Sequence, residues 1–183
     1  MSVLASNALV FQQTAHFTRN DFAIFDAESQ QQVAHAETGG STVERMFTGA
    51  RELYVYDGPG NPLLHVSDTM TFGRDRLAVF SPDGSTLAQI VKQWSFFKTH
   101  ITIDLGGEEL QLLGSFLSFD FQIVAPYGEV ASVTRKWSGF ENSLFGKSTY
   151  LLQLHPGLDD VRRKAVIGSV IALDLIRAKA DRG

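Results

Sequence analysis

Seven cations are the residues in this chain best suited to recognising a ligand: Lys92, Arg135, Lys136, Lys147, Arg162, Arg163 and Lys164. Gathered on one rim, they would form a site for anionic lipid headgroups. Dispersed, they are ordinary solvated charge. The net charge of −4 weighs towards dispersal and against a nucleic-acid partner. Other chemistry is thinner. Gly146-Lys147-Ser148 has the end of a phosphate loop, but Glu141 stands where that motif needs its first glycine. His16, His35, His65, His100 and His155 are scattered, with no spacing that suits a metal. There is no cysteine, which excludes disulfides, thiolate ligands, a Cys nucleophile and palmitoylation. No Gly-x-Ser-x-Gly elbow occurs. Glu108-Glu109 and Asp159-Asp160 read as a turn face and a helix start, where acids suit the dipole. Trp94 and Trp137 end similar strands and read as packing anchors rather than stacking platforms. No catalytic residue, metal or cofactor is expected.

The elements that would position these residues are dominated by one segment near the end. Val161 to Ala178 predicts a helix over about 160–178, and from Ala165 to Ile176 it is apolar on nearly every side. A helix apolar all round must be buried in protein or in lipid. A membrane span needs about 20 apolar residues. Here Asp174 interrupts the run and basic residues close both ends, so a core helix is favoured. Val166, Val170, Leu173 and Ile176 are expected to fill that core. Asp174 is expected to pair with Arg177, one turn on, and Asp159 or Asp160 to cap the start.

Before the helix, short apolar runs alternate with turn residues. Ala8–Phe11 predicts a first strand. Four units then share one plan of strand, polar or Pro/Gly turn, and strand. They run from Phe22 to Ala34, Leu53 to Val66, Leu77 to Val91, and Phe121 to Val133. The third and fourth agree further, each running from a glycine (Gly84, Gly128) to a basic residue and Trp-Ser, which suggests duplication and pseudo-symmetric halves. Another hairpin turns at Gly106-Gly107. Phe116, Phe119 and Phe121 suit strands, and Leu151–Leu154 predicts the last. Ten or more antiparallel strands tend to close on themselves. The fold expected is mainly β: one domain over 1–183, a closed antiparallel barrel around a buried C-terminal helix.

Two blocks carry a resemblance. Val130-Ala-Ser-Val-Thr-Arg-Lys-Trp-Ser-Gly139, with Lys164-Ala-Val-Ile-Gly168 and Ala172-Leu-Asp174, resembles the phospholipid scramblase family. The resemblance extends to the LURP-one-related proteins and, in fold, to the C-terminal domain of tubby. It implies a barrel of about twelve strands around the helix. It does not carry over whole. Scramblases place an Asp-rich calcium loop where this chain has Phe145-Gly-Lys-Ser-Thr-Tyr-Leu-Leu152, and Asp159 with Asp160 makes a poor calcium cage. The Pro-rich tail and palmitoylated cysteines of animal members are missing.

The function expected is therefore a non-enzymatic, calcium-independent module binding anionic phospholipid or a small ligand. The alternatives are a true scramblase moving lipids between leaflets and a protein-interaction scaffold with an unknown protein partner. Lacking a basic, long-apolar leader, the chain is expected in the cytoplasm, peripheral to the inner face of the membrane if it meets one.

Overall fold

The hairpins turn where the sequence carries glycine or an Asx residue. The computed structural model describes residues 2–13, 21–39, 52–68, 75–94, 99–135 and 149–180. Its strands are β1 (Ala8–Gln13), β2 (Phe22–Asp26), β3 (Gln32–Thr38), β4 (Glu52–Asp57), β5 (Pro62–Asp68) and β6 (Asp75–Phe80). They continue as β7 (Thr86–Trp94), β8 (Thr99–Leu105), β9 (Glu108–Ser115), β10 (Asp120–Ala125), β11 (Gly128–Thr134) and β12 (Thr149–Leu154). Among the described residues one helix, α1 (Asp160–Ala180), follows. Every strand pairs antiparallel with its sequence neighbour, and β1 pairs with β12, so the sheet closes into a twelve-stranded barrel with no free edge.

An up-and-down barrel separates its connections. At one end, the turn end, lie the links β2–β3, β4–β5, β6–β7, β8–β9 and β10–β11, with the passage from β12 into α1. At the other, the loop end, lie the remaining strand connections. The turn-end chemistry is local. Gly106 and Gly107 take φ of +62° and +96°, the mirror-image turn that matches strand twist. Asp57, Asp83 and Asp104 each accept a backbone N–H across their own turn. Four hairpins also share a register shift just before the turn, at Ile24/Phe25, Val55/Tyr56, Val79/Phe80 and Ile123/Val124. These are the four units with a common sequence plan, so the repetition extends to the backbone register.

Asp26 fastens the first strands together. It is buried, and its carboxylate accepts from the Ser6 hydroxyl and from the Ser29 N–H and hydroxyl. The Ser6 bond, then those from Ser29, hold its pKa below the ordinary 3.8. A folded-state pKa below the unfolded one adds stability that is present above about pH 3.8 and lost as pH falls through the depressed value. Asp26→Asn is therefore expected to melt below wild type at neutral pH. Paired thermal melts from pH 7 to pH 2 should converge in acid; a constant gap would refute the assignment.

The helix follows from the strand residues that surround it. Asp159 caps it, accepting the Arg162 N–H at 2.8 Å, and Asp160 lies in the first turn where its charge suits the dipole. Every residue from Ala165 to Ile176 is buried, including the expected fillers Val166, Val170, Leu173 and Ile176. The Ser169 hydroxyl is satisfied by donating to the Ala165 carbonyl. Each large aliphatic side chain so buried contributes about 1.5–3 kcal/mol. The helix is not central: its backbone lies closest to β7, β5 and β6. Gly168 permits this, because a Cβ there would collide with the Val79 methyls of β6. The wider gap on the far side is filled by large rings, Phe11, Phe22, Phe121 and Tyr150, from β1, β2, β10 and β12.

The strand expected at Phe116 and Phe119 is a turn. These two residues sit between β9 and β10 and point into the barrel, while Phe121 does lie on β10. Trp94 ends β7, but its side chain, like all of Trp137, lies outside the described residues.

Candidate functional site

The seven cations do not gather on one rim. The chain enters α1 at the turn end, which sends Arg162, Arg163 and Lys164 to the opposite end of the barrel from Lys92 and Arg135. Lys136 and Lys147 lie outside the described residues, within the connection from β11 to β12. The turn-end group is largely engaged. The Arg163 guanidinium is buried and donates to the carbonyls of Leu158, Ser6 and Pro156 and to Asn7 Oδ1, at 2.6–3.3 Å. Four bonds to neutral oxygens make it a clasp between the helix start and the chain before β1. Arg162 is exposed but pairs with Glu108 at 3.3 Å and Asp159 at 3.9 Å. Lys164 is half-buried.

The loop end is where polar groups face inward. Along β7, Ala88 and Ile90 point inward, and Lys92 continues that register with only 7% of its surface exposed. Leu64 and Val66 set the same register on β5, which places Asp68 inward too. Arg135 follows the inward Val133 of β11 and is half-buried. From the helix come Asp174 and Arg177, 2% and 9% exposed, joined at 2.7 Å as expected. The Arg177 guanidinium also lies 5.2 Å from the centre of the Phe119 ring, within cation–π range.

Aromatic residues form the far wall of this mouth. Tyr150 stacks on Phe11 at 4.9 Å and meets Phe119 edge-on at 4.7 Å; Phe119 meets Phe121 edge-on at 5.3 Å. Phe119 is fully buried with φ +56°, an unusual conformation for a bulky residue. The Tyr150 hydroxyl is buried with no hydrogen-bond partner among the described residues. Burial raises its pKa well above 10.0, and the nearby Asp174 carboxylate pushes the same way, so it stays a neutral donor.

The arrangement offers positive charge, a buried hydroxyl and aromatic surface. Among the described residues it offers no nucleophile beside a base. Among the described residues, no three His, Cys, Asp or Glu cluster in a way that could hold a metal ion, and no helix is long and apolar enough to cross a membrane. Sequence reasoning missed Tyr150, Phe119 and Asp68. The available signal was Asp174, a carboxylate inside an apolar run that needs polar company.

A twelve-stranded antiparallel barrel filled by its own C-terminal helix defines the class. The LURP-one-related family model matches residues 7–174, and the chain belongs to that family. An X-ray structure of a protein from Arabidopsis thaliana superposes with a TM-score of 0.60 at 13% identity, covering 94% of each chain. That likeness is one of fold. No curated protein matches the sequence.

Proposed function

We propose that this barrel is a non-enzymatic, calcium-independent module that binds anionic phospholipid headgroups at its loop end. The reading is supported by the way charge divides between the two ends. Asp57, Asp83, Asp104, Glu108 and Asp159 lie at or beside the turn-end connections. Of the connections belonging to the loop end, the five outside the described residues carry seven basic and two acidic residues. Arg135 and Lys92 add positive charge at the mouth, against the inward Asp68 and, beside the loop-end strand termini, Asp21, Glu52, Asp75 and Asp120. An anionic bilayer attracts the loop end and repels the turn end.

Vesicle co-sedimentation tests this. Binding is expected to phosphatidylcholine vesicles containing phosphatidylserine, not to phosphatidylcholine alone, and to fall as salt rises. Calcium or chelator should change nothing. Arg135→Glu, which reverses the charge of a half-buried side chain at the mouth, should weaken binding roughly 10- to 30-fold. Equal binding to both vesicles, or none to either, would sink the proposal.

A small ligand in the interior is the second reading, favoured by the Tyr150 hydroxyl. Native mass spectrometry separates the two by the mass of any retained ligand. Scrambling through α1 would require the helix to leave the core it fills.

A further inference from the structure

Among the described residues, Leu117 is the most exposed large apolar side chain, at 66%, and it lies in the turn between β9 and β10, the one loop-end connection those residues include. A single exposed leucine needs no explanation. What calls for one is the structure that keeps it outside. Phe116 and Phe119, on either side of Leu117 and Ser118, are both buried in the barrel. The Phe119 N–H donates to the Phe116 carbonyl at 3.1 Å, and the Ser118 N–H reaches the Ser115 hydroxyl at 3.4 Å. Phe119 holds its positive φ, a strained conformation for a ring of that size. Gly114 takes φ +119°, and a Cβ there would come within 2.7 Å of the Asp120 carbonyl oxygen. The turn is thus closed from below by two phenylalanines and a glycine, with Leu117 fixed at its tip. Beneath it on the outer wall, Leu113 of β9 is 51% exposed.

We infer that this turn is a preformed apolar wedge that enters the acyl region of an anionic membrane, Leu117 first and Leu113 behind it. The inference rests on the headgroup reading above and adds an orientation and a depth to it. The wedge belongs to the end whose connections are basic, so the charge that draws the barrel to an anionic surface also points the wedge at it. The exposed apolar residues of the other end are placed differently. Tyr127 is 63% exposed beside Glu108, Arg162 and Asp159, a group of net negative charge that an anionic surface would repel. Because the turn is already rigid, insertion loses little conformational entropy.

The chain has no cysteine, so one introduced thiol gives a unique label. Leu117→Cys and Tyr127→Cys, each carrying an environment-sensitive NBD fluorophore, are mixed with phosphatidylcholine/phosphatidylserine vesicles with and without a lipid-phase quencher. A blue shift and quenching at position 117, with neither at 127, is the expected result. Sedimentation with the vesicles but no change at 117 overturns the wedge and leaves the headgroup reading standing. A change at 127 instead overturns the orientation. No association of the unlabelled protein overturns both. Leu113→Ser/Leu117→Ser, altering only exposed side chains, should keep the wild-type melting temperature and lose binding to the same vesicles roughly tenfold or more. Unchanged binding also refutes the wedge.

Discussion

Val170→Asp should abolish the folded barrel. Val170 is fully buried on the helix that fills the interior. A carboxylate placed there has no designated partner, and an uncompensated buried charge costs several kcal/mol even after relaxation. A domain of this kind has about 5–15 kcal/mol to lose in all, and the removed valine contacts add to the deficit. Far-UV circular dichroism and size-exclusion chromatography read the outcome. Val170→Ala is the control: it shortens the side chain without charge and should remain folded with a lower melting temperature. A helix that served as a membrane anchor would behave otherwise, since a charge there would release the protein from lipid and leave the barrel intact. Val170→Asp melting like wild type would therefore remove α1 from the core.

The second large effect is expected at the buried pair. Arg177→Met takes the guanidinium from Asp174 and leaves the carboxylate 2% exposed. Removing one partner of a buried pair costs about 3–5 kcal/mol. For a chain of this size that lowers the melting temperature by roughly 6–20 °C. Asp174→Leu/Arg177→Met removes both charges, and most of the loss should return, because the double variant does not strand one member of the pair without the other. The coupling is the quantity to measure, through a full double-mutant cycle. If the two single losses simply add, the 2.7 Å contact contributes nothing as a pair.

Much of this architecture is legible in the residues, because its determinants are local. Gly106-Gly107, Gly84 and Gly128 mark turns by the positive φ they supply. The apolar run from Ala165 to Ile176 has only one comfortable home once the strands around it are counted. Asp174 and Arg177, three residues apart on a helix, must meet. The candidate site is less legible, since it is assembled across the barrel. Nothing in the sequence near Tyr150 says that its ring will stack on Phe11 or face Arg177; closure through β1 and β12 decides that. Phe116, Phe119 and Phe121 alternate loosely enough to pass for a strand, and only the turn geometry assigns them to a plug. The basic residues mislead for a related reason. Arg162, Arg163 and Lys164 follow closely on the last strand, yet each strand traversed reverses the end of the barrel, so a short step in sequence crosses the whole molecule.

The order of elements also constrains how the molecule can assemble. The residue pairs that close the ring, such as Phe11 with Tyr150, lie about three-quarters of the sequence apart, and the helix that fills the ring comes after both. Contacts so distant in sequence carry a large loop-closure entropy before they return any stability, which slows folding. Without α1, the inner faces of β5, β6 and β7 lose the surface they bury against, and a sheet whose β1 and β12 have not yet paired has open edges of the kind that promote aggregation. Docking of the helix completes the core. Substitutions along Val166–Ile176 would act through the folding rate as much as through the lifetime of the folded molecule.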